Sequence, residues 1–155
     1  MKALSLWQPH AQAIALDLKR YETRDWPTRY RGPLAIHAAK RPWDDLGEWH
    51  ERARLKLNLA MKFAGVVGGA YGAVVCVADL VDCVSTSHLR GRIGEYEFWG
   101  DFSDGERGLG RFAWDLRNVR VIEPHYVRGQ QGLFEVAVPG FEGATAARGN
   151  LSLWG

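Results

Sequence analysis

The chain has few cysteines, almost no net charge and no long apolar run. Its 155 residues include two cysteines, Cys76 and Cys83, which share one strand-like segment and are predicted to face opposite sides of it, so we expect no disulfide. The cysteines and five histidines show no metal-ligand spacing, so we expect no metal. No run is long enough to cross a bilayer, and a strand-like segment follows Met1 directly. We therefore expect a cytoplasmic protein without a membrane partner.

The positive charge of the chain is concentrated in one short segment. Lys and Arg number 20 against 18 Asp and Glu, a formal net charge of +2. Residues 19–41 contain seven basic and two acidic residues, a local net charge of +5. The chain also has seven tryptophans, and indole rings are surfaces on which nucleobases stack. This combination predicts an RNA, single-stranded nucleic acid or nucleoside partner.

Hydrophobic periodicity predicts a single α+β domain. Apolar alternation and turn residues indicate five to six strands, and i, i+3, i+4 spacing indicates two main helices. We expect a curled sheet or barrel with the helices packed beside it, spanning 1–139, and a Gly/Ala-rich tail over 140–155. The predicted strands cover 3–6, 21–24, 33–39, 71–84, 110–121 and 132–138, the first helix covers 9–18, and the second begins near Pro42. Residues 85–110 are predicted to be a long loop with a helical turn.

Four motifs in order carry a family resemblance: S-L-W-Q-P, L-K-R-Y-E-T-R, R-G-P-L-A-I-H-A-A-K and G-R-F-A-W-D-L. With these motifs, the chain resembles the ASCH domain of the PUA-like superfamily from residue 3 to about residue 138. The family signature G-x-K-x-x-E-x-R is matched by Lys19, Glu22 and Arg24, with Asp17 in place of the glycine. The resemblance implies a PUA-like β-barrel with helices beside it and a cleft for RNA or modified nucleosides.

The resemblance implies several possible activities. Some ASCH proteins are similar to N4-acetylcytidine amidohydrolases, others are described as ribonucleases, and many have no assigned activity. The amidohydrolase branch uses a Lys, a Thr and a Glu. The Lys corresponds to Lys19, the Thr position holds Glu22, and the Glu falls in the loop that contains Glu95 and Glu97. These four residues are the catalytic candidates, and no cofactor is implied. A non-catalytic base reader and a metal-independent ribonuclease using Lys19 and His37 remain alternatives.

The signature residues also have structural interpretations. Lys19 follows the first helix, so it could be a solvated lysine near the negative end of the helix dipole, or a desolvated lysine suited to acid/base chemistry. Glu22 and Arg24 are predicted to lie on one face of a strand. They could form an exposed ion pair, or they could hold a base edge and a phosphate. Trp7 is predicted to be a core residue. The predicted substrate-binding residues are Gln8, Arg24, Trp26, Tyr30, His37, Lys40 and Arg41.

Overall fold

The computed structural model describes residues 1–42, 47–66, 69–105, 108 and 110–144. These residues form six strands, two α-helices and two short 3-10 helices, which confirms the α+β prediction. In chain order they are β1 Lys2–Leu6, α1 His10–Ala15, β2 Tyr21–Arg24, β3 Gly32–Ala38, α2 Glu48–Ala64, β4 Ala73–Ser85, the 3-10 helices Thr86–His88 and Gly94–Trp99, β5 Phe112–Tyr126 and β6 Leu133–Glu135. The predicted tail beyond residue 144 lies outside the described residues, so the 1–139 domain boundary stays a prediction.

The six strands form one curled sheet in the order β2-β5-β4-β3-β1-β6. The neighbouring strands β1 and β3 are parallel, and the other neighbours are antiparallel. The long β4–β5 pair contains three register shifts, and β3–β4 contains one. Bulges of this kind bend a strand and increase its twist. The sheet therefore curls into a half-barrel, with β2 and β6 as the outer strands among those described.

Alternating side chains give the sheet two apolar faces. In β1 and β3, Leu4 and Ile36 contribute to one face, while Ala3 and Ala35 contribute to the other. Helix α1 packs on the first face, where Ile14 is fully buried. The small residues of α1 allow this helix to lie close to the sheet.

Helix α1 ends earlier than predicted, and this positions Lys19. The helix stops at Ala15 because Asp17 adopts the left-handed conformation, with φ of 60°. Glycine is the usual residue at such a position and aspartate tolerates it, which accounts for Asp17 at the signature glycine. The amides of Leu18 and Lys19 then both donate to the Ala13 carbonyl. The chain turns back on itself, and Lys19 enters the interior instead of extending the helix.

Helix α2 begins at Glu48, not near Pro42, because Gly47 before it is extended. The first residues of the predicted helix, 43–46, lie outside the described residues. The buried stripe of α2 consists of Ala53, Leu57 and Met61, which cluster with Trp99.

The ends of the later strands also differ from the prediction. Strand β5 continues five residues past 121, to Tyr126, because its pairing with β4 reaches Ala73. Strand β6 is limited to Leu133–Glu135, where it pairs with β1. The predicted loop over 85–110 contains the two 3-10 helices, and the second of them ends in the buried Trp99.

Candidate nucleic-acid site

Lys19 is a buried cation, with 1% of its surface exposed. Its Nζ contacts the carbonyl oxygen of Trp99, lies 3.1 Å from Nδ1 of His10 and lies 3.6 Å from Oε2 of Glu22. Burial lowers the pKa of Lys19 from its usual value, and the charge of Glu22 partly offsets this effect. The structure thus places Lys19 in the desolvated environment that acid/base chemistry requires, while its role stays a prediction.

Glu22 and Arg24 extend this polar group along β2. Oε1 of Glu22 lies 4.0 Å from Nε of Arg24, and the Arg24 guanidinium donates to the Ser5 carbonyl at 3.1 Å. Among the described residues, Oε2 of Glu22 and Nε of Arg24 are the buried side-chain atoms without a hydrogen-bond partner. Both atoms make an ion-pair contact but no hydrogen bond, and since buried polar atoms are nearly always hydrogen-bonded, they retain capacity to bind a ligand. The row Lys19–Glu22–Arg24 leads from the interior to the surface.

Arg24 ends this row in the wall of a large cleft. The cleft has a volume of about 1720 Å³ and lies between the ends of β1 and β3, the turn before β4 and the loop 127–132. Its walls combine cations and aromatic rings, with Asp25 as an acid. The cations and aromatic residues that line it include Trp7, Arg24, Trp26, Lys40, Tyr126 and Arg128.

Trp7 lies at this cleft with 60% of its surface exposed, so the prediction that it is a core residue is wrong. Strand β1 ends at Leu6, and the turn closed by the bond from the His10 amide to the Trp7 carbonyl lies outside the sheet. The indole therefore does not continue the buried alternation of β1. The guanidinium of Arg41 lies 4.2 Å from the Trp7 ring centroid, a cation–π contact that orients the indole.

A family model of the ASCH domain matches residues 4–125. The chain belongs to the ASCH family. ASCH domains belong to the PUA-like superfamily and are in general RNA-binding.

Comparison of the fold with solved structures finds ASCH from Zymomonas mobilis. Its sequence is 18% identical to this one, and its structure superposes with a TM-score of 0.53, covering 88% of this chain and 87% of that one. Two single-substitution variants of that protein also match. The first is 19% identical with a TM-score of 0.55, covering 88% of this chain and 89% of its own. The second is 20% identical with a TM-score of 0.57, covering 88% of this chain and 87% of its own. At this level of identity the likeness shows the fold alone, which is the PUA-like α+β fold predicted from the sequence. No protein of curated function matches the chain.

Besides Arg24, three of the predicted binding residues of this ASCH domain have internal hydrogen-bond partners. The side-chain nitrogen of Gln8 donates to the Ala70 carbonyl at 2.9 Å, and its side-chain oxygen accepts from the backbone N–H of Gln12 at 3.0 Å. The Tyr30 hydroxyl donates to the Pro33 carbonyl. His37 is buried between Ser5 Oγ, 2.9 Å from Nδ1, and the Val127 carbonyl, 2.8 Å from Nε2. Of these three, His37 lines the cleft.

The remaining predicted binding residues lie at or near the cleft. Trp26 lines it and packs edge-on against Trp114, with ring centroids 4.8 Å apart. Lys40 is exposed in the cleft wall, and Arg41 is exposed on the Trp7 ring. The structure therefore brings together four predicted residues from two segments, Arg24 and Trp26 with Lys40 and Arg41.

The two loop glutamates lie apart from this row. The Glu97 carboxylate accepts a hydrogen bond from the Gly91 amide, at 3.0 and 3.2 Å for its two oxygens, and Glu95 is exposed. Within the described ranges, the carboxylate paired with Lys19 is that of Glu22. The loop contributes the Trp99 carbonyl instead. Catalytic roles for Glu95 and Glu97 stay predictions.

Sequence reasoning missed two parts of the site. Loop 127–132 forms a cleft wall, and its polar, glycine-punctuated sequence V-R-G-Q-Q-G between two strands was a usable signal. His10 contacts Lys19 from the start of α1, and no spacing in the sequence indicates that pair. In the described part of the chain, no helix is long and apolar enough to span a membrane, and no group of three or more His, Cys, Asp or Glu residues could hold a metal ion.

Proposed function

We propose that this ASCH domain binds single-stranded RNA in the cleft beside Arg24. The observation that carries the proposal is the exposed Trp7 indole at a cleft whose walls contain Arg24, Lys40 and Arg128. Aromatic rings that stack on bases, combined with cations that contact the backbone, are the recurring means of binding single strands. Three cations close to one exposed indole supply both parts of that interaction.

The shape of the cleft favours an unpaired strand over a duplex or a lone nucleoside. Pockets for small ligands typically measure about 300–1,000 Å³, and this cleft, at about 1720 Å³, has room for more than one nucleotide. Trp7, Trp26 and Tyr126 present rings at different points of its wall. Bases in a duplex are stacked on each other and unavailable to such rings, whereas an unpaired strand can place its bases on them.

Fluorescence anisotropy with a labelled ten-nucleotide RNA, single-stranded or annealed to its complement, tests this proposal. We expect the single strand to bind more tightly. Three phosphate contacts should give a slope of log K against log salt of about −2, and Lys40→Met or Arg128→Met should each reduce that slope by about 0.7. Lys62→Met, an exposed cation on α2, is the matched control and should change nothing. A preference for duplex, or equal effects of all three variants, would contradict the proposal.

Hydrolysis of the N4-acyl amide of a cytidine is the second candidate, because Lys19 is desolvated beside the Glu22 carboxylate, whose Oε2 contacts Lys19 but has no hydrogen bond. In this scheme Lys19 polarises the acyl carbonyl, Glu22 activates water and Arg24 stabilises the developing oxyanion. The absence of a Thr at position 22 distinguishes this scheme from the amidohydrolase branch. The ribonuclease alternative has less support, because both ring nitrogens of His37 already have internal partners.

Incubation with N4-acetylcytidine and with a short single-stranded RNA, followed by chromatography, separates these possibilities. Wild type and Lys19→Met are compared, since methionine fills a similar volume without the charge. Cytidine released by wild type alone supports the hydrolase, and RNA fragments released by wild type alone support the ribonuclease. Binding without either product supports a non-catalytic reader.

A further inference from the structure

His10 is fixed beside Lys19 by an aromatic contact from helix α2. Its Nδ1 lies 3.1 Å from Nζ of Lys19, and its ring stacks on that of Trp49, with centroids 5.4 Å apart and planes inclined by 19°. Trp49 is itself held by a 2.9 Å bond from its Nε1 to the Phe98 carbonyl. These contacts set the orientation of the imidazole, with Nδ1 directed at the lysine.

The chemistry of the two side chains allows one proton to be shared between them. An ammonium group only donates hydrogen bonds, so a charged Lys19 requires Nδ1 of His10 to be unprotonated and its hydrogen to lie on Nε2. If His10 took up a proton at Nδ1, that nitrogen would become a donor as well. The contact would persist only if Lys19 gave up a proton. The two residues therefore cannot both be positively charged while they remain hydrogen-bonded.

The groups around the pair determine where that proton resides. Burial lowers the pKa of His10 well below its usual value, and the charges of Lys19, His50 and Arg24 lower it further, while the Trp99 carbonyl acts in the opposite direction. On the lysine side, burial lowers the pKa of Lys19 and Glu22 raises it, with smaller lowering effects from Arg24 and Arg111. At neutral pH these influences leave His10 neutral.

We propose that His10 is a positioning residue that shares one proton with Lys19 and relays protons between this buried amine and solvent. In the relay, a proton passes from Nζ of Lys19 to Nδ1 of His10, and the Nε2 proton of His10 leaves to water. Lys19 is then a neutral amine, and the reverse transfers restore the ammonium. Lys19 is almost fully buried, whereas His10 keeps a minor exposed fraction, so His10 is the nearer of the two to water. The relay rests on the hydrolysis proposed above, but the shared proton does not.

Imidazole ¹H–¹⁵N correlation spectra, recorded from pH 5 to pH 8 on the intact protein, test the shared proton. In wild type we expect His10 to remain neutral with its hydrogen on Nε2. In Lys19→Met its titration should move to higher pH, because a nearby like charge is removed. Identical titrations in both proteins would overturn the proposal. Should Lys19→Met not fold, the wild-type spectrum alone decides, since a hydrogen on Nδ1 in the neutral state would overturn it.

His10→Gln tests the relay, because the glutamine oxygen can accept from Lys19 but cannot transfer protons. With N4-acetylcytidine we expect kcat to fall, KM to change little, and the acidic limb of the pH profile to shift. His88→Gln, an exposed histidine on the first 3-10 helix, is the matched control and should behave as wild type. An unchanged kcat and pH profile in His10→Gln would overturn the relay. If the domain hydrolyses nothing, the relay fails with that reaction, and the spectra still decide the shared proton.

Discussion

Replacing Trp7 with alanine should weaken RNA binding without unfolding the protein. The indole has 60% of its surface exposed, so its removal opens no large cavity, and stability should change by no more than about 0.5 kcal/mol. Stacking of one base on an aromatic ring contributes about 1–3 kcal/mol. This corresponds to an affinity loss of about 5-fold to 150-fold for a single strand. The substitution also removes the ring on which the Arg41 guanidinium lies, which adds to the loss of affinity.

Phe63 supplies the matched control for this experiment. It is an aromatic residue with 84% of its surface exposed, and it lies on α2, away from the cleft-lining residues. Anisotropy titrations at one salt concentration should show a large loss for Trp7→Ala and wild-type binding for Phe63→Ala. Thermal denaturation of each variant checks the fold. A Kd for Trp7→Ala within twofold of wild type, or equal losses in the two variants, would refute the reasoning.

Three further predictions concern single residues of the fold. A Cβ on Gly129 would lie 2.7 Å from the buried His37 ring, so Gly129→Ala should destabilise the fold by about 1–3 kcal/mol in urea denaturation and weaken RNA binding. Burial favours a raised pKa for Asp115, but hydrogen bonds from two arginines outweigh it and hold the pKa below its usual range. Asp115→Asn should therefore cost about 1.5–3 kcal/mol above pH 4, with the difference from wild type disappearing as the pH falls through the lowered value. Burial raises the pKa of Cys76 to about 12, so a thiol reagent at pH 8 should modify the half-buried Cys83 and reach Cys76 only on unfolding.

Local patterns were enough to predict most of the elements. Strand β2 has the bounds that the sequence predicts, 21–24, and its alternation places Glu22 and Arg24 on one face as expected. The end of α1 was not predictable from apolar spacing, because Leu18 continues the helical pattern while the left-handed Asp17 breaks the helix. The prediction for Trp7 failed for a similar reason, since the apolar alternation of β1 ends one residue before it.

The site depends on contacts that no local pattern reveals. The cleft joins Trp7, Lys40 and the loop 127–132, which are far apart along the chain and meet only because β1 lies between β3 and β6. The hydrogen-bond partners of Gln8 and His37 lie 62 and 90 residues away in sequence, at Ala70 and Val127, so their internal roles arise from the tertiary fold. Lys19 likewise has a hydrogen-bond partner, the Trp99 carbonyl, that lies 80 residues away in sequence.

The most direct test of RNA binding in this cleft is an NMR titration of the ¹⁵N-labelled protein with an unpaired RNA. We expect the largest shifts at the Trp7 indole, at Lys40 and in the loop 127–132, with the amides around Glu22 and Arg24 shifting as well. The exposed face of α2, including Phe63, should remain unchanged. Shifts concentrated on α2, or no shifts at RNA concentrations above those of the protein, would contradict the account.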